Sequence, residues 1–445
     1  MPVSPARRLA ADVLLLVEEE HGYASDLLHS SRARACAPAD RRLATQLVLG
    51  VLRWRGALDY AIAAAAHRRL ERMPPLARVA LRLGAYQLRR LDRIPPSAAV
   101  NDSVELAKPA GHKTAAFVNA VLRHLSRAPI AALLANESDL ARRREAEFSH
   151  PGWLLERWSQ AFSPAQAAAI AAYDNQPPPA ACWPALAVDG VTFGPGRLLR
   201  SARRVLAGDV TRTAAFRSGH LWVQDEASQL IAHLVAPAAG DRVLDACAAP
   251  GSKTALLRAL APEARLVALE RHPHRAALLA RRLRRDPTLA PVPVLAADAA
   301  APWPLAQRWD RILVDAPCTG TGTLARNPEI RWRLTPDDPA RLARLQLALL
   351  QRAAAALAPD GRLLYSVCSL EPEEGAGVAR ALLAAVPGGY LRLVPMAELL
   401  APLRASGQLL VPPDALTAGP YLRLLPGAFA TDGFFAAAFV RAPAL

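Results

Sequence analysis

At 445 residues the chain is too long for one ordinary hydrophobic core, so two or three domains are expected. Hydrophobic residues at 52% against 21% charged exclude a disordered chain. The formal net charge of +15, carried almost entirely by arginine, favours a polyanionic partner, because the guanidinium fork pairs with phosphate. Abundant Ala, Arg and Pro also fit a GC-rich coding sequence, so part of the arginine excess is compositional. Cys36, Cys182, Cys247, Cys318 and Cys368 make an odd number with no C-x-x-C pair. That excludes a disulfide framework or a cysteine zinc site and suits a reducing cytosol, so a cytoplasmic protein is expected.

In chain order, "MPVSPARRLAADVLLLVEEE" carries acids on an apolar period and is read as an amphipathic helix rather than a secretory leader. No run reaches the length of an apolar membrane span, and no membrane partner is expected. "ADRRLATQLVLGVLRWRGALDYAI" and "PLARVALRLGAYQLRRL" repeat apolar residues every three or four positions with arginine opposite, which predicts helices. "SAAVNDSVELAK" opens another after Pro95-Pro96, and "TAAFVNAVLRHLSR" is the last before "API". These basic faces are docking surface or simply solvated. From about 150 to 220, "HPGWLLERWSQAF" is read as a helix, "DNQPPPAACWPAL" as a break, and the rest as short extended pieces running into a helix.

After Gly240 apolar strands alternate with helices. "DRVLDACAAPGSKTALLRALAP" reads strand, small-residue loop, helix; "ARLVALE", "PVPVLAAD", "WDRILVDAP" and "GRLLYSVCS" read as further strands. This alternation predicts an α/β, doubly wound parallel sheet, which binds ligands beyond the carboxyl ends of its strands. Asp245, Glu270, Asp298, Asp315, Cys318 and Cys368 all fall at such ends.

The loop in "DACAAPGSKT" is neither G-x-x-x-x-G-K-[ST] nor G-x-G-x-x-G, so it is not a triphosphate cradle. Its small residues allow close approach to the backbone at a helix N-terminus. Glu270 suits two ribose hydroxyls, and Asp298 suits an adenine amino group. Against strand-end caps as the alternative, three acids in succession describe a nucleoside-containing cofactor. Cys36 and Cys182 are read as structural, and Cys247 as chosen for size. Cys318 and Cys368 are a reactive pair facing one crevice or a pair of buried small residues, with Arg326, Arg331 and Arg333 as sources of positive charge. His272 and His274 open a helix among arginines and read as solvated, so no metal is expected.

"DACAAPGSKT", "DAPCTGTGTLARNPEIRW" and "YSVCSLEPEE", in this order, resemble the RNA 5-methylcytosine methyltransferases. "AVNDSVELAK" and "AFVNAVLRHL" resemble the RsmB/Sun branch, with its NusB-like helical module. The resemblance implies a Rossmann-like class I methyltransferase domain with a mostly parallel seven-stranded sheet over 221–445. It also implies an all-helical NusB-like RNA-binding domain over 1–135 and a small α+β linker domain over 145–220. It implies S-adenosylmethionine as cofactor, bound by Cys247, Ala248, Ala249, Pro250, Gly251, Ser252, Lys253, Glu270, Asp298 and Asp315. The family loop reads A-A-P-G-G-K, so Ser252 is a departure, tolerable where that backbone is not restricted to glycine. By the same resemblance Cys368 is the nucleophile at cytosine C6, Asp315 orients the base, and Cys318 assists product release. The implied substrate is cytosine 967 of 16S rRNA, with tRNA or another RNA as the alternative, and the implied state a monomer. DNA cytosine methyltransferases carry their nucleophile in a Pro-Cys after the fourth strand and lack the "SVCS" cysteine, so DNA is not the expected partner. A non-catalytic basic assembly factor is the reading from another class.

Overall fold

The computed structural model describes residues 3–20, 22–127, 137–303, 307–386 and 389–442. The expected boundary at 135 lies outside them. The chain forms two compact units, one of residues 1–177 with 324–334, the other of 178–323 with 335–445.

The first unit is helical. Its helices Pro5–Glu19, Pro38–Arg53, Pro75–Arg90, Pro96–Ala107 and Pro164–Asp174 each place proline at the first turn, where the missing N–H costs nothing. The run from 39 to 62 divides at Trp54 into Pro38–Arg53 and Arg55–Ala66. Leu9, Val13, Leu14 and Val17 put one face of the first helix into a core shared with Leu47, Val51, Leu58, Leu81, Leu83 and Leu122. One arginine departs from a purely outer placement. Arg82 is 5% exposed and its guanidinium grips Asp59 at 2.6 and 2.8 Å and Glu18 at 3.2 Å. Further helices, Leu140–Phe148 and Gly152–Ala161, belong to this unit too. The stretch read as one mixed segment therefore falls across both units, its helices up to Asp174 lying in the first and its strands, with the short helix Ala214–Arg217, in the second.

The segment 324–334 belongs to the helical unit, and Arg331 explains why. Its buried guanidinium donates to Asn175 Oδ1 (2.8 Å) and to the carbonyls of Ser149 and Asp174 (both 3.1 Å). Arg333 donates to the carbonyls of Gly22 (2.5 Å) and Val17 (3.3 Å). Trp332 Nε1 donates to the Leu52 carbonyl at 2.8 Å. Arg331 and Arg333, expected to lend charge to the cysteines, are instead engaged inside the helical unit.

In the second unit, β1 (Ala181–Trp183), β2 (Thr192–Pro195), β3 (Arg203–Ala207) and β4 (Trp222–Val223) form a small antiparallel sheet ordered β2-β3-β1-β4. Cys182 is fully buried there, as its structural reading requires. The larger sheet holds β5 (Arg242–Asp245), β6 (Arg265–Glu270), β7 (Val294–Ala296), β8 (Trp309–Asp315), β9 (Leu357–Val367), β10 (Leu391–Val394), β11 (Thr417–Ala418), β12 (Tyr421–Leu424) and β13 (Phe434–Arg441). Its order is β11-β12-β13-β9-β8-β5-β6-β7, with β10 on β13. Strands β7, β6, β5, β8 and β9 are parallel; β13 is antiparallel to β9. Strands β12 and β10 share the far edge of β13, pairing with 434–436 and 438–441 respectively. Seven strands, β7 to β13 along that order with β10, are the expected sheet, and β11-β12 add a hairpin.

Pleating sends alternate residues to opposite faces. Leu313 joins the core on one face, with Ile231 and Leu257, while Ile312 and Val314 join the other, with Leu350 and Leu382. The chain runs outward from β5 through β6 to β7 and returns through β8 to β9, so the order reverses between β5 and β8. Open α/β sheets bind ligands at such a reversal. No helix among the described residues is long and apolar enough to cross a membrane.

Candidate active site

Two strand ends meet at the reversal. Asp245 closes β5 and Asp315 closes β8. Between β5 and the helix Ser252–Leu260 runs the small-residue loop, in which Gly251 adopts φ 108°. A Cβ there would lie 2.5 Å from Leu279 Cδ1, so glycine is required for both backbone and space. Ser252 is the first helical residue, and the departure from the double-glycine loop thus falls where any residue fits. A small pocket is lined by Asp245, the run Cys247–Lys253 and Asp315.

Asp245 is 1% exposed; Thr254 Oγ1 donates to its Oδ2 at 2.7 Å, and its Oδ1 has no partner. Burial pushes its carboxyl up to about 6, against the pull of the Thr254 hydrogen bond. Glu270 ends β6 and is 6% exposed, its Oε1 accepting from the His272 N–H at 2.9 Å. Asp298 lies just past β7; it accepts from the Ala300 N–H at 2.9 Å and faces Arg271 Nε at 3.3 Å. Neither lines the small pocket, but both continue the carboxyl edge outward from β5. Burial first, and then the charges of Asp245, Asp315, Glu270 and Asp298, push the Cys247 thiol up. Cys247 is thereby an inert thiol facing the row of acids, which fits its reading as a residue chosen for size.

Lys253 and Asp315 form an ion pair at 2.7 Å. Burial lowers the lysine, and the Asp315 carboxylate overrides this, leaving its pKa raised. The other Asp315 oxygen, Oδ1, accepts from Ser366 Oγ at 2.7 Å. Because Asp315 and Ser366 are register partners on β8 and β9, the residues that follow leave the sheet side by side. Cys318 and Cys368 do so, and their Sγ atoms lie 3.5 Å apart. The Cys318 thiol is pushed well up, first by its hydrogen bond to Cys368, then by burial and the charges of Cys368 and Glu374. Cys368 is also among the groups that raise Lys253, so this lysine is a cation near the pair. Sequence reasoning sought that charge in nearby arginines, of which Arg331 and Arg333 are engaged elsewhere, because Lys253 precedes the cysteines by more than sixty residues.

A polar network behind the cysteines also escaped the sequence reading. Glu374, fully buried, accepts from the Thr319 N–H and Gln346 Nε2, each at 2.9 Å, and from Ser369 Oγ at 2.5 Å. Thr319 Oγ1 donates to the same carboxylate, and Tyr365 donates to Gln346 Oε1 at 3.0 Å. Burial raises the Glu374 carboxyl, opposed by these hydrogen bonds. "EPEE" signalled acids after Cys368, but nothing in it signalled that Glu371 and Glu374 are both buried.

A parallel sheet with a reversal flanked by an acidic carboxyl edge and a small-residue loop is the Rossmann-like methyltransferase class. Residues 232–440 match the family model described as 16S rRNA methyltransferase RsmB/F, and residues 4–127 match the NusB family. The chain is 32% identical to the probable ribosomal RNA small subunit methyltransferase B of Bacillus subtilis, over 98% of both chains. It is 39% identical to the ribosomal RNA small subunit methyltransferase B of Thermus thermophilus, over 87% of this chain and 89% of that one. The solved structure of PH0851 superposes over 99% of both chains with a TM-score of 0.78 at 23% identity, a likeness of fold. The chain therefore belongs to the ribosomal RNA small subunit methyltransferase B family, with an N-terminal NusB domain.

Proposed function

We propose that this protein transfers a methyl group from S-adenosylmethionine to C5 of a cytosine in 16S rRNA, cytosine 967 by family resemblance. The observation that carries the chemistry is the 3.5 Å approach of Cys318 Sγ and Cys368 Sγ beside Asp315. C5 of cytosine is a weak nucleophile until something adds at C6. Cys368 adds there as thiolate, forming the S–C6 bond and moving an electron pair toward C5, which takes the methyl group. Asp315, held by Lys253 and Ser366, orients the base through its N3 and N4 edge. Cys318 assists removal of the C5 proton; the electron pair of the C5–H bond then expels Cys368 by β-elimination, restoring the ring.

The residues fit the cofactor. Asp245 leaves a buried oxygen without a partner at a loop of small residues, and two further acids follow along the carboxyl edge. Cys247 to Lys253, Glu270, Asp298 and Asp315 would hold the cofactor, Glu270 taking its ribose hydroxyls and Asp298 its adenine amino group. Bound there, S-adenosylmethionine would supply an electrophilic methyl group, the S–CH3 bond breaking to leave S-adenosylhomocysteine. RNA docks as a polyanion on an arginine-rich chain acting as a monomer.

The test is adduct trapping with unmodified 16S rRNA and S-adenosylmethionine, using wild type, Cys318→Ala and Cys368→Ala. A denaturation-resistant protein–RNA band that persists in Cys318→Ala and is absent in Cys368→Ala is the expected result. The reverse pattern moves the nucleophile to Cys318. Equal trapping on tRNA moves the substrate. No band and no methyl transfer leaves a basic RNA-binding factor.

A further inference from the structure

The two cysteines come from separate strand ends, yet their sulfurs sit 3.5 Å apart, and something must hold both loops at once. We propose that Glu374 is a positioning residue that clamps the two cysteine loops together through the residue following each cysteine. The proposal rests on the reading of Cys368 and Cys318 as the working pair.

Thr319 follows Cys318, and both its N–H (2.9 Å) and its hydroxyl donate to the Glu374 carboxylate. Ser369 follows Cys368, and its hydroxyl donates to the same carboxylate at 2.5 Å. Gln346, the fourth donor, also holds the carbonyl of Pro317 at 2.9 Å, so the chain is gripped on both sides of Cys318. A buried carboxylate is costly unless its lone pairs are filled. Here four donors fill them, none of them charged, and three lie on or beside the cysteine loops. Direct loop-to-loop bonds supplement the clamp: the Gly322 N–H donates to the Cys368 carbonyl and the Leu370 N–H to Thr321 Oγ1, each at 2.9 Å. The chemistry explains the need. One sulfur must reach C6 while the other serves the neighbouring C5, and a misplacement of about 1 Å costs on the order of a hundredfold in rate.

Phenylarsine oxide tests the clamp without RNA. It condenses with two thiols, forming two As–S bonds and releasing water, and it binds tightly only where the thiols stand close together. Full-length wild type, Glu374→Gln, Glu374→Ala and Ser369→Ala are titrated, with Cys318→Ala and Cys368→Ala as one-thiol references. Glutamine can keep all four bonds, since the Thr319 and Ser369 hydroxyls can accept from its amide instead of donating. Glu374→Gln is therefore expected to retain the arsenical affinity. Glu374→Ala and Ser369→Ala are expected to weaken it by about tenfold or more, as the effective concentration of the second thiol falls. Affinity for S-adenosylmethionine should stay unchanged in all three, and kcat should fall in Glu374→Ala and Ser369→Ala, but not in Glu374→Gln, without a matching rise in KM for RNA. Undiminished arsenical affinity in Glu374→Ala overturns the proposal. If Glu374→Ala does not fold, undiminished affinity and kcat in Ser369→Ala overturn it instead. Because the arsenical reads the thiol pair directly, loss of the clamp is distinguishable from an absent RNA adduct.

Discussion

Asp245 shows what a single residue at this site costs. Its carboxyl lies at about 6 in the folded chain against an ordinary 3.8, because burial disfavours its charge. The folded chain thus holds the proton to higher pH than the unfolded one, and ionisation works against folding. The penalty is absent below the unfolded value, grows as pH rises between the two, and is complete above about 6, where it amounts to about 3 kcal/mol. Asp245→Asn should therefore unfold at a higher temperature than wild type at pH 8, with the difference vanishing near the unfolded value. Thermal unfolding at the two pH values measures this. The same substitution should weaken S-adenosylmethionine binding, read by titration calorimetry, if the unpartnered oxygen serves the cofactor.

At the scale of elements, the loop between β5 and its helix divides its tolerance sharply. Gly251→Ala would force a side chain into a positive φ and against Leu279, and should cost about 1–3 kcal/mol in urea unfolding. Ser252→Gly, one residue on, restores the family's loop at a position that is already helical. It should change stability by about 1 kcal/mol or less and leave cofactor affinity intact. The ends of β8 and β9 behave differently, because their loops are joined by hydrogen bonds across the sheet edge. A Cβ on Gly322 would stand 2.3 Å from the Gly433 carbonyl oxygen, so Gly322→Ala should push the loop after β8 away from the segment that leads into β13 and reduce activity while β8 and β9 remain paired. Methyl transfer assays alongside circular dichroism distinguish the two effects.

For the molecule as a whole, Arg331 ties residues 324–334 into the helical unit although they lie between β8 and β9 in sequence. Arg331→Met leaves the Asn175 oxygen and three buried carbonyls without their donor, and the full chain should lose about 3–5 kcal/mol of stability by denaturant unfolding. The net charge of +15 belongs to the same scale. If phosphate contacts dominate docking, log affinity for rRNA should fall linearly with log salt concentration. A flat response in filter binding would remove the arginine-rich surface as the docking face.

The periodicities of the helices, the strand–helix alternation after Gly240 and the acids at strand ends were legible in the sequence. Each is a local pattern, set by residues a few positions apart. Three motifs in order carried the family and the reading of Cys318 and Cys368 as a pair at one crevice, whereas the order of the strands was not legible in them. Tertiary structure alone decided the 3.5 Å approach of the sulfurs, the inward turn of Glu374 and the charge on Lys253. It also decided that Arg331 would be buried among helices rather than spent on a thiolate. Those outcomes depend on partners separated by dozens to hundreds of residues, brought together by the crossing order of the sheet and by burial. Local pattern determines which elements form and what stands at their ends; packing determines which of those ends meet.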